Sequence, residues 1–189
     1  MNVILIGYRA TGKSTVGALL SKKLKIPFVD TDHLIEAAAG MPIRDLIEAA
    51  GWEAFREREK EAVASLDENN PRVVATGGGA ILAAANRSRF KQAGVAVFLR
   101  ASEPDIVERL RRDAQVGRTR PQFTSESLAA ETAAVLKERL PLYESAADFT
   151  VDTQGKSIVQ VADEIDQYLL EAGIVSKINI LKKRLKKHL

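Results

Sequence analysis

The decisive stretch of this sequence is Gly7-Tyr8-Arg9-Ala10-Thr11-Gly12-Lys13-Ser14-Thr15, which fills every fixed position of the phosphate-binding pattern G-x-x-x-x-G-K-[ST]. Before it lies an apolar run, residues 3–6, that is typical of a buried strand. After it, apolar residues recur at helical spacing: Val16, Leu19, Leu20 and Leu24. A strand, a glycine-rich turn and a helix in this order predict a site for a nucleoside triphosphate.

Each part of the motif has a chemical use. Its glycines let the backbone curl so that N–H groups and the helix N-terminus face anionic oxygens. We expect Lys13 to reach the β- and γ-phosphates and the hydroxyl of Ser14 to bind Mg²⁺. The residues expected to contact ATP here are Ala10, Thr11, Gly12, Lys13, Ser14 and Thr15.

Composition narrows the class of protein. The chain has 189 residues, 46% of them hydrophobic, which suits one domain with a sizeable core. It contains no cysteine, so disulfides, thiolate metal sites and cysteine nucleophiles are excluded. No apolar stretch approaches the roughly 20 residues of a membrane span, and the N-terminus enters a strand without a basic leader. We therefore expect a cytoplasmic protein with no membrane partner, acting as a monomer.

The basic charge is confined to one end of the chain. Six of the 28 Lys and Arg residues lie in the last thirteen positions, which contain no acid. The remainder has 22 basic and 25 acidic residues, a net charge of −3. A nucleic-acid-binding protein is expected to carry positive charge on its folded domain. The sequence therefore predicts no nucleic-acid partner, although its pI is about 9.2.

Strand and helix patterns alternate along the chain. Strands are predicted at residues 3–6, 27–30, 72–75, 95–99 and 149–151, and helices at residues 13–24, 32–39, 42–50, 52–66, 104–112, 125–140 and 157–170. This order predicts an α/β fold of three layers, α/β/α, with a five-stranded parallel sheet.

Three regions depart from the simple alternation. Residues 32–66 are almost all helical and are interpreted as an inserted substrate-binding region, and residues 113–125 as a mobile lid. The kinase domain is predicted to span residues 1–175, leaving a basic tail at 176–189. That tail is expected to be a solvated helix or a frayed extension, the alternative being an amphipathic surface for a membrane or an acidic partner.

Two acids follow the second predicted strand, in Phe28-Val29-Asp30-Thr31-Asp32. Parallel strands end at the same sheet edge, so these acids should lie beside the phosphate loop. Asp30 could hold a water bound to Mg²⁺, and Asp32 could orient or deprotonate an attacking hydroxyl. The alternative is that one of them, or Thr31, only caps the next helix. The sequence has no N-K-x-D motif for reading a guanine base, which disfavours a guanine-nucleotide switch protein. Neither the third nor the fourth predicted strand ends in an acid, which disfavours a motor ATPase.

Further polar groups occur at helix and strand ends. Arg56 and Glu59 share a helix face, so the acid could orient a guanidinium that binds a carboxylate, although a solvated charged face is the alternative. The three glycines of Thr76-Gly77-Gly78-Gly79-Ala80 offer bare backbone to a ligand, whereas a tight turn alone needs only one. Arg139 ends a predicted helix, where it could instead be a partner of the helix dipole.

Together these elements resemble the shikimate kinase family, within the nucleoside-monophosphate-kinase-like P-loop fold. The resemblance covers about residues 2–170 through motifs in family order: the phosphate loop, Asp30-Thr31-Asp32, Phe55-Arg56-x-x-Glu59, Gly77-Gly78-Gly79, Arg120-Pro121, Arg139-x-Pro141-Leu142-Tyr143 and Val151-Asp152-Thr153. It implies ATP-dependent phosphorylation of the 3-hydroxyl of shikimate, a step toward chorismate and the aromatic amino acids.

The resemblance also implies a role for each motif residue. Lys13 would act on the phosphates, with Ser14 and Asp30 at Mg²⁺ and Asp32 at the ring hydroxyls as base or orienter. Substrate binding is implied for Arg56 and Arg139, at the carboxylate, and for Gly77, Gly78 and Gly79. Arg120 would be the catalytic lid arginine, with Arg118 as a competitor, and Arg112 and Lys156 would lie on the adenine side.

Two other interpretations stay open at this point. The chain could be a related small-molecule kinase, acting on gluconate or a nucleoside monophosphate. It could also be a non-catalytic nucleotide-binding module whose basic tail recruits a partner. A module that only senses ATP has no use for Asp32, Arg56 and Arg139, so these three residues favour the kinase.

Overall fold

The computed structural model describes residues 1–115 and 127–185 of the chain. Its five strands are β1 (Asn2–Ile6), β2 (Phe28–Asp30), β3 (Val73–Ala75), β4 (Gly94–Arg100) and β5 (Phe149–Asp152). They form one sheet in the order β2-β3-β1-β4-β5, and every neighbouring pair is parallel.

Helices connect the strands and cover both faces of the sheet. They are α1 (Lys13–Leu24), α2 (Thr31–Ala39), α3 (Ile43–Ala64), α4 (Ala84–Ala93), α5 (Glu103–Gln115), α6 (Leu128–Ala146), α7 (Ile158–Glu171) and α8 (Ile174–Leu185). A short 3-10 helix spans Ala80–Leu82. The parallel five-stranded sheet between two helical layers confirms the predicted fold class.

Alternating residues of the central strand β1 supply two separate hydrophobic cores. Val3 and Leu5 pack in one cluster with α1, α7 and α8, whereas Ile4 and Ile6 pack in another with α3, α4 and α6. Successive side chains of a strand point to opposite faces. A strand that is buried on both faces must therefore be apolar throughout, which explains the unbroken run at the N-terminus.

The strand register brings three polar turns to one edge of the sheet. Leu5 of β1 and Asp30 of β2 are both paired with Ala75 of β3. The phosphate loop follows β1, Asp32 follows β2, and Gly77 follows β3 within two residues. Parallel strands thus place the loop, the acids and the glycines beside one another, as such sheets do at their carboxyl ends.

Two helices contain an internal irregularity, which the sequence predicts for α3 and not for α6. Gly51 has non-helical angles (φ 81°, ψ 171°) and divides α3 into the two helical pieces that the sequence predicts as separate. Helix α6 was expected to end at Leu140 but continues through Pro141 to Ala146. Proline cannot donate the usual helical hydrogen bond. Burial of Tyr143 and Ala146 in the core offsets that loss, so the helix runs on.

Helix α4 was missed by sequence analysis. Its sequence, Ala-Ala-Asn-Arg-Ser-Arg-Phe-Lys-Gln-Ala, is polar and buries only Asn86, Phe90 and Ala93, so it has no apolar stripe at helical spacing. The connection between two parallel strands requires a crossover of a dozen or more residues. That topological rule, applied to β3 and β4, predicts an element here although the residue pattern does not.

The basic tail differs from the expected solvated helix. Helix α8 begins at Ile174, before the predicted boundary, and Ile174 and Ile178 belong to the same core cluster as β1. Lys182 donates a hydrogen bond from Nζ to the carbonyl oxygen of Leu24, at the end of α1. Of the tail residues that the structure describes, one face therefore packs on the domain while the charged face remains exposed.

The described helices were also compared with the dimensions of a bilayer. Within residues 1–115 and 127–185, none combines the length and the apolar character that crossing a membrane requires.

Two isoleucines of α8 provide a matched test of its packing. Ile178 is 1% exposed and Ile180 is 52% exposed. We expect Ile178→Ala to lower the free energy of unfolding by about 2–5 kcal/mol, because it leaves a cavity in the core. Ile180→Ala should change it by no more than about 0.5 kcal/mol. Urea denaturation of both variants measures the difference, and equal effects would show that α8 does not pack on the domain.

Candidate active site

The phosphate loop follows a backbone path that requires glycine. Gly7 has a φ of 144°, and a Cβ atom there would lie 2.6 Å from the carbonyl oxygen of Leu99. Gly12 has a φ of 94°, and Ala10 also lies in the left-handed region, with a φ of 61°. Such backbone strain is concentrated at functional sites. The loop leads directly into α1, whose N-terminus favours an anion.

Lys13 holds its positive charge inside this loop. Its Nζ donates hydrogen bonds to the carbonyl oxygens of Gly7, at 2.8 Å, and Tyr8, at 2.7 Å. The residue is buried yet contributes to the wall of the adjoining cleft. An ammonium group in this position can neutralise a phosphate that lies against the loop.

Ser14 and Asp30 face each other across the first turn of α1. The Ser14 hydroxyl donates to Asp30 Oδ2 at 2.6 Å, and Asp30 Oδ1 accepts from the backbone N–H of Asp32 at 3.0 Å. Asp30 therefore caps α2 and contacts the phosphate loop at the same time, so its capping role does not preclude a metal-binding one. A hydroxyl beside a carboxylate is a donor set that suits Mg²⁺, which is commonly held by one or two carboxylates together with phosphates and waters.

A cleft of about 660 Å³ opens above the loop. Its wall contains Asp32, Gly78 and Lys156. It also contains all six loop residues that are predicted to contact ATP: Ala10, Thr11, Gly12, Lys13, Ser14 and Thr15. Apolar side chains of Val16, Ile158 and Val161 line it too. The cleft thus joins a polar, phosphate-sized end to a partly apolar side, as cofactor sites commonly do.

The arginine of α5 that reaches the cleft is Arg109. Its Nη1 donates to the Ala10 carbonyl oxygen at 3.3 Å and to Thr153 Oγ1 at 3.4 Å. Arg112, the predicted adenine-side residue, is exposed one turn later, pairs with Glu108 and is absent from the cleft wall. Arg112 follows Arg109 by three residues, so it lies nearly one turn farther along the helix, toward Gln115 and beyond the cleft wall.

Lys156 reaches the cleft but also forms an ion pair with Glu164 of α7. Both arginines considered for the catalytic lid position, Arg118 and Arg120, lie outside the residues that the structure describes, as does most of the predicted lid.

The glycine turn, residues 77–79, makes room for protein side chains as well as for a ligand. A Cβ atom on Gly77 would lie 2.5 Å from Glu59 Oε1 and 2.9 Å from Asp32 Oδ1. On Gly79 it would lie 2.0 Å from Arg56 Nη1. Only the middle glycine, Gly78, lines the cleft. The sequence interpretation attributed all of this space to a ligand, whereas much of it is filled by Glu59, Asp32 and Arg56.

Arg56 is fixed in place from two sides. Its Nη1 donates to Glu59 Oε2 at 2.6 Å, and Glu59 is only 1% exposed. The guanidinium also lies 5.5 Å from the ring centre of Trp52 and 5.3 Å from that of Phe55. Aromatic faces and a carboxylate both stabilise a guanidinium. The buried ion pair replaces the alternative of a solvated charged face.

Arg139 approaches the glycine turn from the other side. Its Nη1 donates to the Gly78 carbonyl oxygen at 3.2 Å, and the side chain is buried in mid-helix, so it is not a partner of the helix end. Tyr143, one turn later, donates its hydroxyl to the same oxygen. Burial raises the pKa of Tyr143 well above its ordinary value, so the hydroxyl stays protonated as a donor. Sequence analysis assigned no role to Tyr143, although it stands four residues after Arg139.

The site therefore has two parts that meet at Gly78. One is the cleft with Lys13, Ser14 and Asp32, and the other is the pair of arginines that touch the glycine turn at residues 78 and 79. Such an arrangement can hold a polyphosphate beside a small anionic, hydroxyl-bearing molecule.

Comparison with known proteins identifies this geometry with one family. A family model described as shikimate kinase matches residues 9–170. The shikimate kinase of Syntrophus aciditrophicus is 44% identical over 172 residues, covering 87% of this chain and 88% of the relative. A structure of shikimate kinase from Acinetobacter baumannii in complex with shikimate superposes with a TM-score of 0.82 at 35% identity, over 90% of this chain and 93% of that one.

A second solved structure agrees. Shikimate kinase from Aquifex aeolicus superposes with a TM-score of 0.78 at 32% identity, over 93% of this chain and 99% of that one. The family match covers the phosphate loop from Arg9 onward, the glycine turn and both arginines. This chain belongs to the shikimate kinase family.

Proposed function

We propose that this chain transfers the γ-phosphoryl group of ATP to the 3-hydroxyl of shikimate, giving shikimate 3-phosphate and ADP, on the route to chorismate. Family membership supports the reaction. The assignment of shikimate as the substrate rests on Arg56 and Arg139, which lie on either side of the glycine turn. Two such guanidinium groups suit a carboxylate. Gluconate would present its carboxylate in a different arrangement, and a nucleoside monophosphate has no carboxylate.

The donor half of the reaction uses the phosphate loop. Lys13 neutralises the β- and γ-phosphates, and the N-terminus of α1 holds the phosphate chain. Ser14 and Asp30, 2.6 Å apart, are the residues that would hold Mg²⁺. Mg²⁺ supplies charge neutralisation between the phosphate oxygens when it is bound.

The acceptor half uses Asp32, Arg56 and Arg139. The arginines bind the shikimate carboxylate, and Gly78, with Gly77 and Gly79 shaping the turn, contacts the ring. Asp32 lines the cleft beside Lys13, where it accepts the hydrogen bond of the 3-hydroxyl and takes its proton as the new O–P bond forms. The bond from the γ-phosphorus to the bridging oxygen breaks, and ADP leaves.

The nucleotide base lies on the far side of the cleft in this proposal. Arg109 and Lys156 supply its polar contacts, since both line the cleft, and Ile158 supplies an apolar one. Arg112 takes part only if it leaves Glu108, with which it is paired. From the family resemblance, Arg120 closes over ATP and stabilises charge during transfer.

The same proposal places the enzyme in the cytoplasm, where ATP is maintained, as a monomer. A dimeric mass in sedimentation equilibrium at enzyme-assay concentrations would contradict the monomer.

A panel of acceptors tests the reaction. We expect the purified chain to release ADP from ATP with shikimate as acceptor, and to lose this activity when Mg²⁺ is chelated. Gluconate and nucleoside monophosphates should give no rate above the blank, because they lack a carboxylate and hydroxyls in the same arrangement. A coupled ADP-release assay measures this. Turnover of another acceptor without turnover of shikimate would refute the proposed substrate, and no turnover of any acceptor would favour a nucleotide-binding module.

Arginine variants test how the acceptor is held. We expect Arg56→Ala and Arg139→Ala each to raise the KM for shikimate by about 10- to 100-fold, the loss of one hydrogen bond to a charged group. The KM for ATP should change little. Arg58→Ala is the matched control, because Arg58 lies on the same helix but is exposed and paired with Glu61. Unchanged shikimate KM in both Arg56 and Arg139 variants would show that the carboxylate is bound elsewhere.

A further inference from the structure

One ion pair beside the site has no part in the proposed reaction. Arg9, in the phosphate loop, donates from Nη2 to Oε1 of Glu131 at 2.5 Å. The two residues are 122 positions apart in the sequence, and Glu131 lies in the first turn of α6. The pair therefore joins the loop that binds the phosphates to the helix that carries Arg139.

This contact is buried. The Glu131 side chain is 0% exposed and that of Arg9 is 17% exposed. A charge that is removed from water is tolerated only when it is paired and hydrogen-bonded. The position of Glu131 at the N-terminus of α6 is also favourable for an acid, because the helix dipole is positive there. Separating the two side chains would remove this hydrogen bond from the buried Glu131 carboxylate, which is costly.

The motif does not require arginine at this position. Arg9 occupies one of the four variable places in G-x-x-x-x-G-K-[ST], and the phosphates are bound by backbone N–H groups and Lys13. The arginine side chain points to Glu131 and lies 5.6 Å from the ring centre of Tyr8. The motif alone therefore assigns no phosphate contact to the Arg9 side chain.

Helix α6 makes its other polar contacts with the site on the same side. Glu131, Arg139 and Tyr143 are spaced by multiples of four residues, so they follow one side of the helix. Arg139 and Tyr143 both donate to the Gly78 carbonyl oxygen. Gly78 itself packs on the backbone of Arg9, since a Cβ atom there would lie 3.1 Å from the Arg9 nitrogen. The loop, the glycine turn and α6 thus form a closed set of contacts.

We propose that Arg9 is a positioning residue, whose ion pair with Glu131 fixes α6, and with it Arg139, relative to the phosphate loop. The inference rests on the proposed function, because it assumes that Arg139 binds the acceptor carboxylate. Phosphoryl transfer depends on alignment of the acceptor oxygen with the γ-phosphorus. An ion pair that fixes the distance between the phosphate loop and Arg139 therefore affects that alignment.

Four variants and a control test this role: Arg9→Met, Glu131→Gln, the double variant of both, Arg9→Lys, and Glu68→Gln as the control. The first two each remove one side of this ion pair, so folding is checked by circular dichroism and thermal melting. The double variant removes both charges and keeps the side-chain sizes, which preserves the fold. Glu68 is the matched control, because it also pairs with an arginine of another element, Arg89, but lies away from the cleft.

We expect the double variant to fold and to lower kcat by about tenfold or more, since misplacement by 1 Å can cost about 100-fold. The KM for shikimate should rise, and the KM for ATP should stay within about threefold of wild type. Each single variant should lose as much as the double, because the pair acts as a unit. Arg9→Lys should recover part of kcat, and Glu68→Gln should match the wild type.

Two results would overturn the inference while leaving the proposed function intact. One is a folded double variant with wild-type kcat on shikimate, which would make the pair merely structural. The other is a raised ATP KM in Arg9→Met with an unaffected Glu131→Gln, which would make Arg9 a direct phosphate contact. A wild-type chain that does not phosphorylate shikimate would overturn the proposed function, and this inference with it.

Discussion

The close approach of the glycine turn to three charged side chains, Asp32, Arg56 and Glu59, is the constraint on which the site depends. Any side chain at Gly77 would collide with Glu59 and Asp32, and any at Gly79 would collide with Arg56, at distances of 2.0 to 2.9 Å. These side chains keep their positions only while the turn is bare, because the sheet register sets the position of its backbone after β3. Donor and acceptor groups can converge there only because glycine leaves the volume to them.

Buried charge pairs then hold those groups in place. Glu59 orients Arg56, and Glu131 holds Arg9, with each acid almost fully removed from water. Replacing a buried ion pair by apolar residues is often neutral for stability, so stability alone does not account for such pairs. Here the arginine of each pair lies at the cleft or at the glycine turn. Their common effect is to fix the direction of a guanidinium, which a flexible arginine does not achieve by itself.

The parts of the molecule that are encoded by local sequence patterns could be predicted from the sequence. The phosphate loop, the strands and the capping acid Asp30 depend on short patterns of glycine, alternation and strand ends, and the structure has them within one or two residues. Arg56 with Glu59 followed from helical spacing. The resemblance in motif order supplied the family, which the comparisons confirm.

The remaining features depend on contacts between distant segments. The choice between Arg109 and Arg112 depends on how far along α5 the cleft extends, because the two arginines are nearly one helical turn apart. Helix α4 and the passage of α6 through Pro141 follow from tertiary packing rather than from propensity. The partner of Arg9 lies 122 residues away, and nothing in a local pattern indicates it.

The central claim is that charge recognition by the arginines at the glycine turn selects the acceptor. It is tested most directly by comparing kcat/KM for shikimate and for its uncharged methyl ester in the wild type and in Arg56→Met. The account predicts that the wild type favours the acid by about 10- to 100-fold, the value of a charged hydrogen bond. That ratio should fall toward one in the variant. An unchanged ratio would contradict the account, because the carboxylate would then be recognised without Arg56.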